Sequence, residues 1–239
     1  MQALLAAANV DMHRMRLPEA MARAEGAVAP DPLSAEARLV RSAILRLLGH
    51  EAEALADLRS AEHLDPWYAP AYAEHAWQMV CDGNAADSLK IRREEQRVRG
   101  TATELYCALA LDYRLVGDGV QAEAFLAKSE GAGLHCEAAR IVLAADGGDL
   151  ELARVEYDRV RGGPRFGVAT WAIGMVYAAA GGMKVEAIAE AGRFLALNPS
   201  CAPFMDLEPF LRGLQSDPEM RRIRAQAVEE LERRRALPR

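Results

Sequence analysis

Aromatic residues are scarce in this chain of 239 residues: phenylalanine, tyrosine and tryptophan together make up 6%. β-Branched residues are sparse too, whereas alanine and arginine are frequent. The shortage removes the side chains that favour pleated strands and the abundance favours helices, so no sheet is expected. Positive charge is also short, with 29 lysines and arginines against 35 acids and a formal net charge of -6. A broad nucleic-acid surface needs clustered positive charge, so no nucleic-acid partner is expected. The five histidines, His13, His50, His63, His75 and His135, have no second metal ligand three or four positions on. No stretch fits a phosphate-binding loop, a dinucleotide fingerprint, a zinc spacing or a nucleophile elbow. Asp146-Gly147-Gly148-Asp149 offers too few carboxylates for a calcium loop. The chain is therefore read as non-catalytic, with no cofactor and no metal.

Cysteine is used only four times, at Cys81, Cys107, Cys136 and Cys201, with no metal-ligand spacing. Placed within or at the edges of helical patterns, these residues read as buried thiols in a reducing compartment. The opening MQALLAAANVDMHR lacks the basic segment and apolar core of a secretion signal, and a cytoplasmic location is expected. Long apolar runs are missing with one exception. Phe166 to Met183 carries no charge over 18 residues, the lower limit for a membrane span. Its alanines and glycines, in phase with the pattern below, predict a helix buried between two others and no membrane span.

What the sequence does have is a period. The stretch from Trp171 to Pro199 places Trp171, Ile173, Gly174, Met175, Tyr177 and Ala178 at helical spacing. After Gly181-Gly182 the rhythm resumes with Ala187, Ile188, Ala191, Phe194, Leu195 and Leu197, and Asn198-Pro199 ends it. Such a hairpin cannot bury its own apolar face and needs neighbours of its kind. Gly49, Gly83 and Gly117 recur every 34 residues, with Met15 one interval earlier. Ala8, Ser42, Ala76 and Ala110 keep the same interval, as do Asp31-Pro32 and Asp65-Pro66, Ala20 and Ala54, and Ala27 and Ala61.

A 34-residue helix-turn-helix unit with small residues at fixed points and a closing Asp-Pro resembles the tetratricopeptide repeat family. The resemblance covers about residues 1–201. It implies an all-α fold, a right-handed superhelical solenoid of about six hairpins, with the tail 202–239 as a C-terminal helical cap. In the tail, Leu207 to Leu214 reads as a short helix. Ser216 and Glu219 read as a capping box around Pro218, opening a long polar helix with Glu229–Arg233 and Glu230–Arg234 pairs. The segment LEPFLRGLQSDPEM is similar to the closing segment of repeat regions in bacterial cyclases and winged-helix regulators.

Three departures from regularity matter. Arg38 and Arg41 stand where bulky apolar residues are usual. In SLKIRREEQRVRG, Arg92 and Glu95 replace the apolar Leu58 and Ala61 of the preceding period, which reads as a solvated face. The interval then drops to 31 between Gly117 and Gly148, so the loop EGAGLH is expected to be tight. Thr101 with Glu104 reads as a cap for the helix that follows.

The resemblance also implies that the first helix of each hairpin lines an inner face that binds a partner. Carried onto this sequence, that face holds Asn9, Met12, Leu39, Arg46, Trp77, Cys81, Leu111, Arg114 and Val142. The lining is mostly apolar, and Trp77 is the natural anchor. Two functions remain open from the sequence. The first is a protein–protein interaction scaffold holding a protein or peptide segment; the alternative is a regulatory receptor for a small peptide or metabolite, which needs a closed pocket. Leu4, Leu5 and Val10 lie on different faces of the first helix, so this end is expected to meet a second copy as a homodimer through the first repeat, the tail folded back, or a further domain of a longer parent.

Overall fold

The computed structural model describes residues 1–100, 102–129, 133–161 and 168–238. Among them there is no strand, and the chain runs as paired helices from end to end. Six hairpins come first: α1 (Gln2–His13) with α2 (Leu17–Val28), α3 (Ala35–Leu47) with α4 (Glu51–Leu64), and α5 (Ala69–Cys81) with α6 (Ala85–Arg99). The next three are α7 (Thr103–Leu115) with α8 (Gly119–Ala127), α9 (Leu134–Asp146) with α10 (Leu150–Arg161), and α11 (Val168–Ala180) with α12 (Lys184–Leu197). The tail adds a 3-10 turn (Pro199–Cys201), α13 (Phe204–Leu207), a second 3-10 turn (Pro209–Leu214) and α14 (Pro218–Arg235). No helix among the described residues is long and apolar enough to cross a membrane.

The 34-residue interval has a backbone cause. Gly49, Gly83, Gly117, Gly148 and Gly182 close the turn inside successive hairpins at φ 82°, 77°, 86°, 81° and 70°. In this left-handed region a β-carbon clashes, so glycine is favoured. Met15, one interval before Gly49, adopts the same conformation at φ 57° with a side chain in place. After three of these glycines a cap starts the second helix: Asn84, Asp118 and Asp149 side chains accept the backbone N–H of Asp87, Gln121 and Leu152. The small residues at fixed points are the ones that vanish from the surface. Ala8, Ala20, Ala27, Ala54, Ala61, Ala76 and Ala110 are all fully buried, which lets helix backbones approach closely.

The chain divides into two compact units, residues 1–78 with 228–239, and residues 79–227. The first unit is built on α1 to α4, where Leu5, Leu17, Met21, Ile44, Leu45 and Leu48 form one apolar cluster. Arg38 and Arg41, out of place in an apolar pattern, turn onto Asp57 of α4 at 3.1 and 2.6 Å, so an ion pair replaces the apolar contact. The last turn of α14 belongs to this unit: Arg235 donates to the carbonyl of Gly49 (2.9 Å), and Arg234 to that of Leu47 (3.4 Å).

In the second unit the first helices α7, α9 and α11 are neighbours, and two apolar clusters lie along them. The charged run of α6 is solvated on one side, with Lys90, Arg93, Glu94 and Arg97 exposed, but Arg92 and Glu95 are turned inward. Arg92 and Glu95 are 6% and 3% exposed and pair at 3.3 Å, and Ser88 Oγ donates to Asp112 of α7 at 2.9 Å. A 34-residue repeat turns the same helix face inward whatever residues occupy it, so a polar layer replaces the apolar one. Where the interval drops to 31, α8 has 9 residues against the 15 of α6. The α14 cap is Asp217, not Ser216: with Pro218 in the first helical position, Asp217 Oδ1 accepts from Glu219 (2.8 Å) and Met220 (3.4 Å). Arg233 pairs with Glu230 (2.9 Å) in place of Glu229, and Arg234 pairs with Glu230 as expected (2.8 Å).

The thiol reading of the cysteines is overturned. Cys81 is joined to Cys201 and Cys107 to Cys136, and no free cysteine remains. Their burial was legible but their pairing was not, because each bond joins positions 120 and 29 residues apart that only the folded chain brings together. Thr101, the first three residues of EGAGLH, Phe166 and the side chain of Trp171 lie outside the described residues.

Candidate partner-binding face

In the first unit Asn9, Met12, Leu39, Arg46 and Trp77, the residues expected on the partner-binding face, lie on α1, α3 and α5. Asn9, Met12, Leu39 and Trp77 are half-buried, each with part of its surface turned to solvent. Met12 rests on the apolar cluster of the unit. Arg46 is buried, and its Nε donates to Glu74 of α5 at 3.0 Å, so its charge is met by the next first helix. Nearby, His75 Nδ1 lies 2.8 Å from Glu62. Three of these partly exposed side chains are apolar or aromatic, and the cation of the set is paired internally.

In the second unit the tail reaches two of the residues expected on that face, Cys81 and Arg114. Cys81 is 1% exposed and covalently joined to Cys201, where the tail begins. Pro203 packs against Gly83, where an added β-carbon would meet it at 3.3 Å. Further on, Glu208 reaches Arg114 of α7. The guanidinium donates to both carboxylate oxygens, at 2.7 and 2.9 Å, and also to Asp146 of α9 at 2.6 and 3.1 Å. Burial alone would lower the Arg114 pKa; the hydrogen bonds and charges of Glu208 and then Asp146 outweigh it and hold the pKa above the usual range. The Phe210 ring lies 5.2 Å from the same guanidinium and packs on the cluster of Ala138, Ile141, Ala145, Ile173 and Tyr177. Leu111 borders this cluster half-buried, and Val142 is 5% exposed.

Sequence reasoning thus found Arg114 and missed what holds it. The signal for Glu208 was the unexplained LEPFLRGL of the tail, an acid and an aromatic residue with no period to place them. The signal for the disulfides was an even number of cysteines. Asp146 and Asp149, weighed as cation ligands, serve instead as a partner of Arg114 and as the cap of α10. Among the described residues no group of three or more histidines, cysteines and acids is placed to hold a metal ion.

No family model matches the sequence, and no curated protein matches it. Solved structures do match in fold. A tetratricopeptide repeat protein from Parabacteroides merdae superposes with a TM-score of 0.53 at 15% identity, covering 97% of this chain and 92% of that one. This chain has the tetratricopeptide repeat fold. The same arrangement is found in Pseudomonas aeruginosa pilF, with a TM-score of 0.56 at 15% identity over 86% of this chain and 95% of that one. It is found also in PilW, a type IV pilus biogenesis factor, with a TM-score of 0.55 at 19% identity over 90% and 98%. At these identities the tetratricopeptide repeat fold is what the likeness establishes.

Proposed function

We propose that this protein is a non-catalytic interaction scaffold that holds a segment of a partner protein on the first-helix face of its repeats. The organisation that goes with this reading is a repeat region over residues 1–201 closed by a helical cap over 202–239. The observation that carries it is the partial exposure of Met12, Leu39 and Trp77 on α1, α3 and α5 of the first unit, at positions that the repeat resemblance assigns to the ligand-facing side. A half-buried tryptophan has the character of a binding anchor. The test compares proteins captured by the wild type and by Trp77→Ala. Partners lost from the variant, with an unchanged circular dichroism spectrum, support the reading; identical capture by both contradicts it.

The receptor alternative looks elsewhere. Between α12 and α14 lies an open groove of about 710 Å³ lined by Val185, Ile188, Ala196 and Ile223, with Arg193 and Arg222 at its edge, which is not the closed pocket this alternative needs. Only its volume falls within the range of small-ligand sites. Self-association through α1 rests on Leu4 and Val10, 38% and 48% exposed, whereas Leu5 is 2% exposed and belongs to the core. Light scattering on wild type and Leu4→Glu tests it: a dimer dissociated by the substitution supports it, and a monomeric wild type contradicts it. On compartment, two disulfides favour an oxidising environment over the cytoplasm expected from the sequence.

A further inference from the structure

In the second unit the tail is held in the manner of a bound peptide. Its turns are closed by its own side chains: Glu208 Oε1 accepts the backbone N–H of Phe210 at 3.3 Å, and Gln215 Nε2 donates to the carbonyls of Met205 (2.6 Å) and Leu211 (3.3 Å). What reaches the helices is side chains. Glu208, 2% exposed, forms the bidentate pair with Arg114, and Phe210, two positions on, stacks by the same guanidinium and fills the apolar cluster behind it. Pro209 between them fixes the spacing of acid and ring. Arg114 is thus read simultaneously by a carboxylate and an aromatic face, a combination that a planar guanidinium suits and an ammonium does not.

Resting on the scaffold reading, we propose that Glu208 and Phe210, with the turn that carries them, are a resident occupant of the partner-binding face of the second unit. The external partner of that face is a peptide segment with a carboxylate followed two positions later by an aromatic ring, which competes for Arg114. The tail is linked to the same unit and so acts at an effective concentration on the order of millimolar. An outside segment therefore binds the intact chain weakly and a tail-weakened chain well.

The experiment uses the full chain, oxidised, and a fluorescein-labelled synthetic peptide, PFMDLEPFLRG, the sequence of residues 203–213. Binding is followed by anisotropy for wild type, for Glu208→Gln with Phe210→Ala, and for that variant with Arg114→Gln added. Hydrogen exchange measures protection of the turn carrying Glu208 and Phe210, of α7 and of α9. The expected result is release of that turn with α7 and α9 still protected, at least tenfold tighter peptide binding than wild type, and loss of binding when Arg114 is replaced. A peptide with Gln for Glu should bind at least tenfold more weakly. If the double variant loses protection in α7 and α9, Phe210→Ala alone takes its place as the releasing substitution. A released tail with no gain in peptide binding, or binding indifferent to Arg114, overturns the inference. Either outcome leaves the scaffold reading to its own test at Trp77 in the other unit.

Discussion

Arg114 of α7 and Glu208 of the tail, 94 positions apart, meet in a bidentate ion pair at 2.7 and 2.9 Å with side chains 4% and 3% exposed. A pair so far from water must be complete, because either partner left alone is a buried, uncompensated charge. The pair therefore fixes where the tail lies on the second unit.

Replacing Glu208 by Gln is expected to lower stability by about 3 kcal/mol, since Arg114 keeps its burial and loses a charge partner. Asp146→Asn should cost less than about 1 kcal/mol, because that side chain is 35% exposed and water can substitute for it. Urea midpoints of the two variants check the order; an equal or reversed order contradicts the burial argument.

The two disulfides close loops of different length. In the chain-entropy description, a 120-residue separation contributes roughly 5 kcal/mol and a 29-residue one roughly 4 kcal/mol. Replacing Cys81 and Cys201 by Ser should lower the urea midpoint more than replacing Cys107 and Cys136. Midpoints unaffected by either change would remove the bonds from the account.

Two glycines with the same backbone conformation should respond differently. At Gly117, φ 86°, an added β-carbon meets nothing within 4 Å, so Gly117→Ala costs about 1 kcal/mol for conformation alone. At Gly49, φ 82°, the β-carbon meets Arg235 Cγ at 2.8 Å and Leu231 Cδ1 at 2.9 Å. Gly49→Ala should therefore cost roughly 2 to 3 kcal/mol and loosen the last turn of α14. Thermal melts with hydrogen exchange on residues 228–235 give both readings.

Much of the repeat was legible because it rests on local rules. Gly49, Gly83 and Gly117 mark turns whose φ excludes other residues, and Ala8, Ala76 and Ala110 mark helix crossings that exclude larger ones. Even Met15, the exception to the glycine rule, stood in phase. The regular pattern also misled, since Arg92 and Glu95 were read by their chemistry as solvent-facing although the period placed them inside. Pro218 fixed the start of α14, yet the cap was assigned one residue early. What sequence could not supply were contacts without local cause. The pairing of Arg114 with Glu208 and of Cys81 with Cys201 depends on how an aperiodic tail folds back, and no spacing rule encodes that.

Stability should carry a pH signature from Asp112. Burial raises its pKa from 3.8 to about 6, against the opposing effects of Arg92 and the Ser88 hydrogen bond, with Glu95 adding to the rise. The folded state then holds a proton that the unfolded chain releases, so this group's contribution is fully present below about pH 4 and is lost as pH rises to about 6 and beyond. The change corresponds to about 3 kcal/mol. Asp112→Asn should abolish it. Denaturation of both proteins from pH 4 to 7 should therefore show wild type losing stability relative to the variant; parallel curves would contradict the placement of Asp112 in the interior.

The claim on which the rest depends is that the tail lies against the first helices of the second unit, and the bond from Cys81 to Cys201 tests it most directly. Peptide mapping of the unreduced protein by mass spectrometry should find Cys81 linked to Cys201 and Cys107 linked to Cys136, with no thiol labelled after denaturation. Cys201 recovered as a free thiol, or joined to a cysteine other than Cys81, would contradict it.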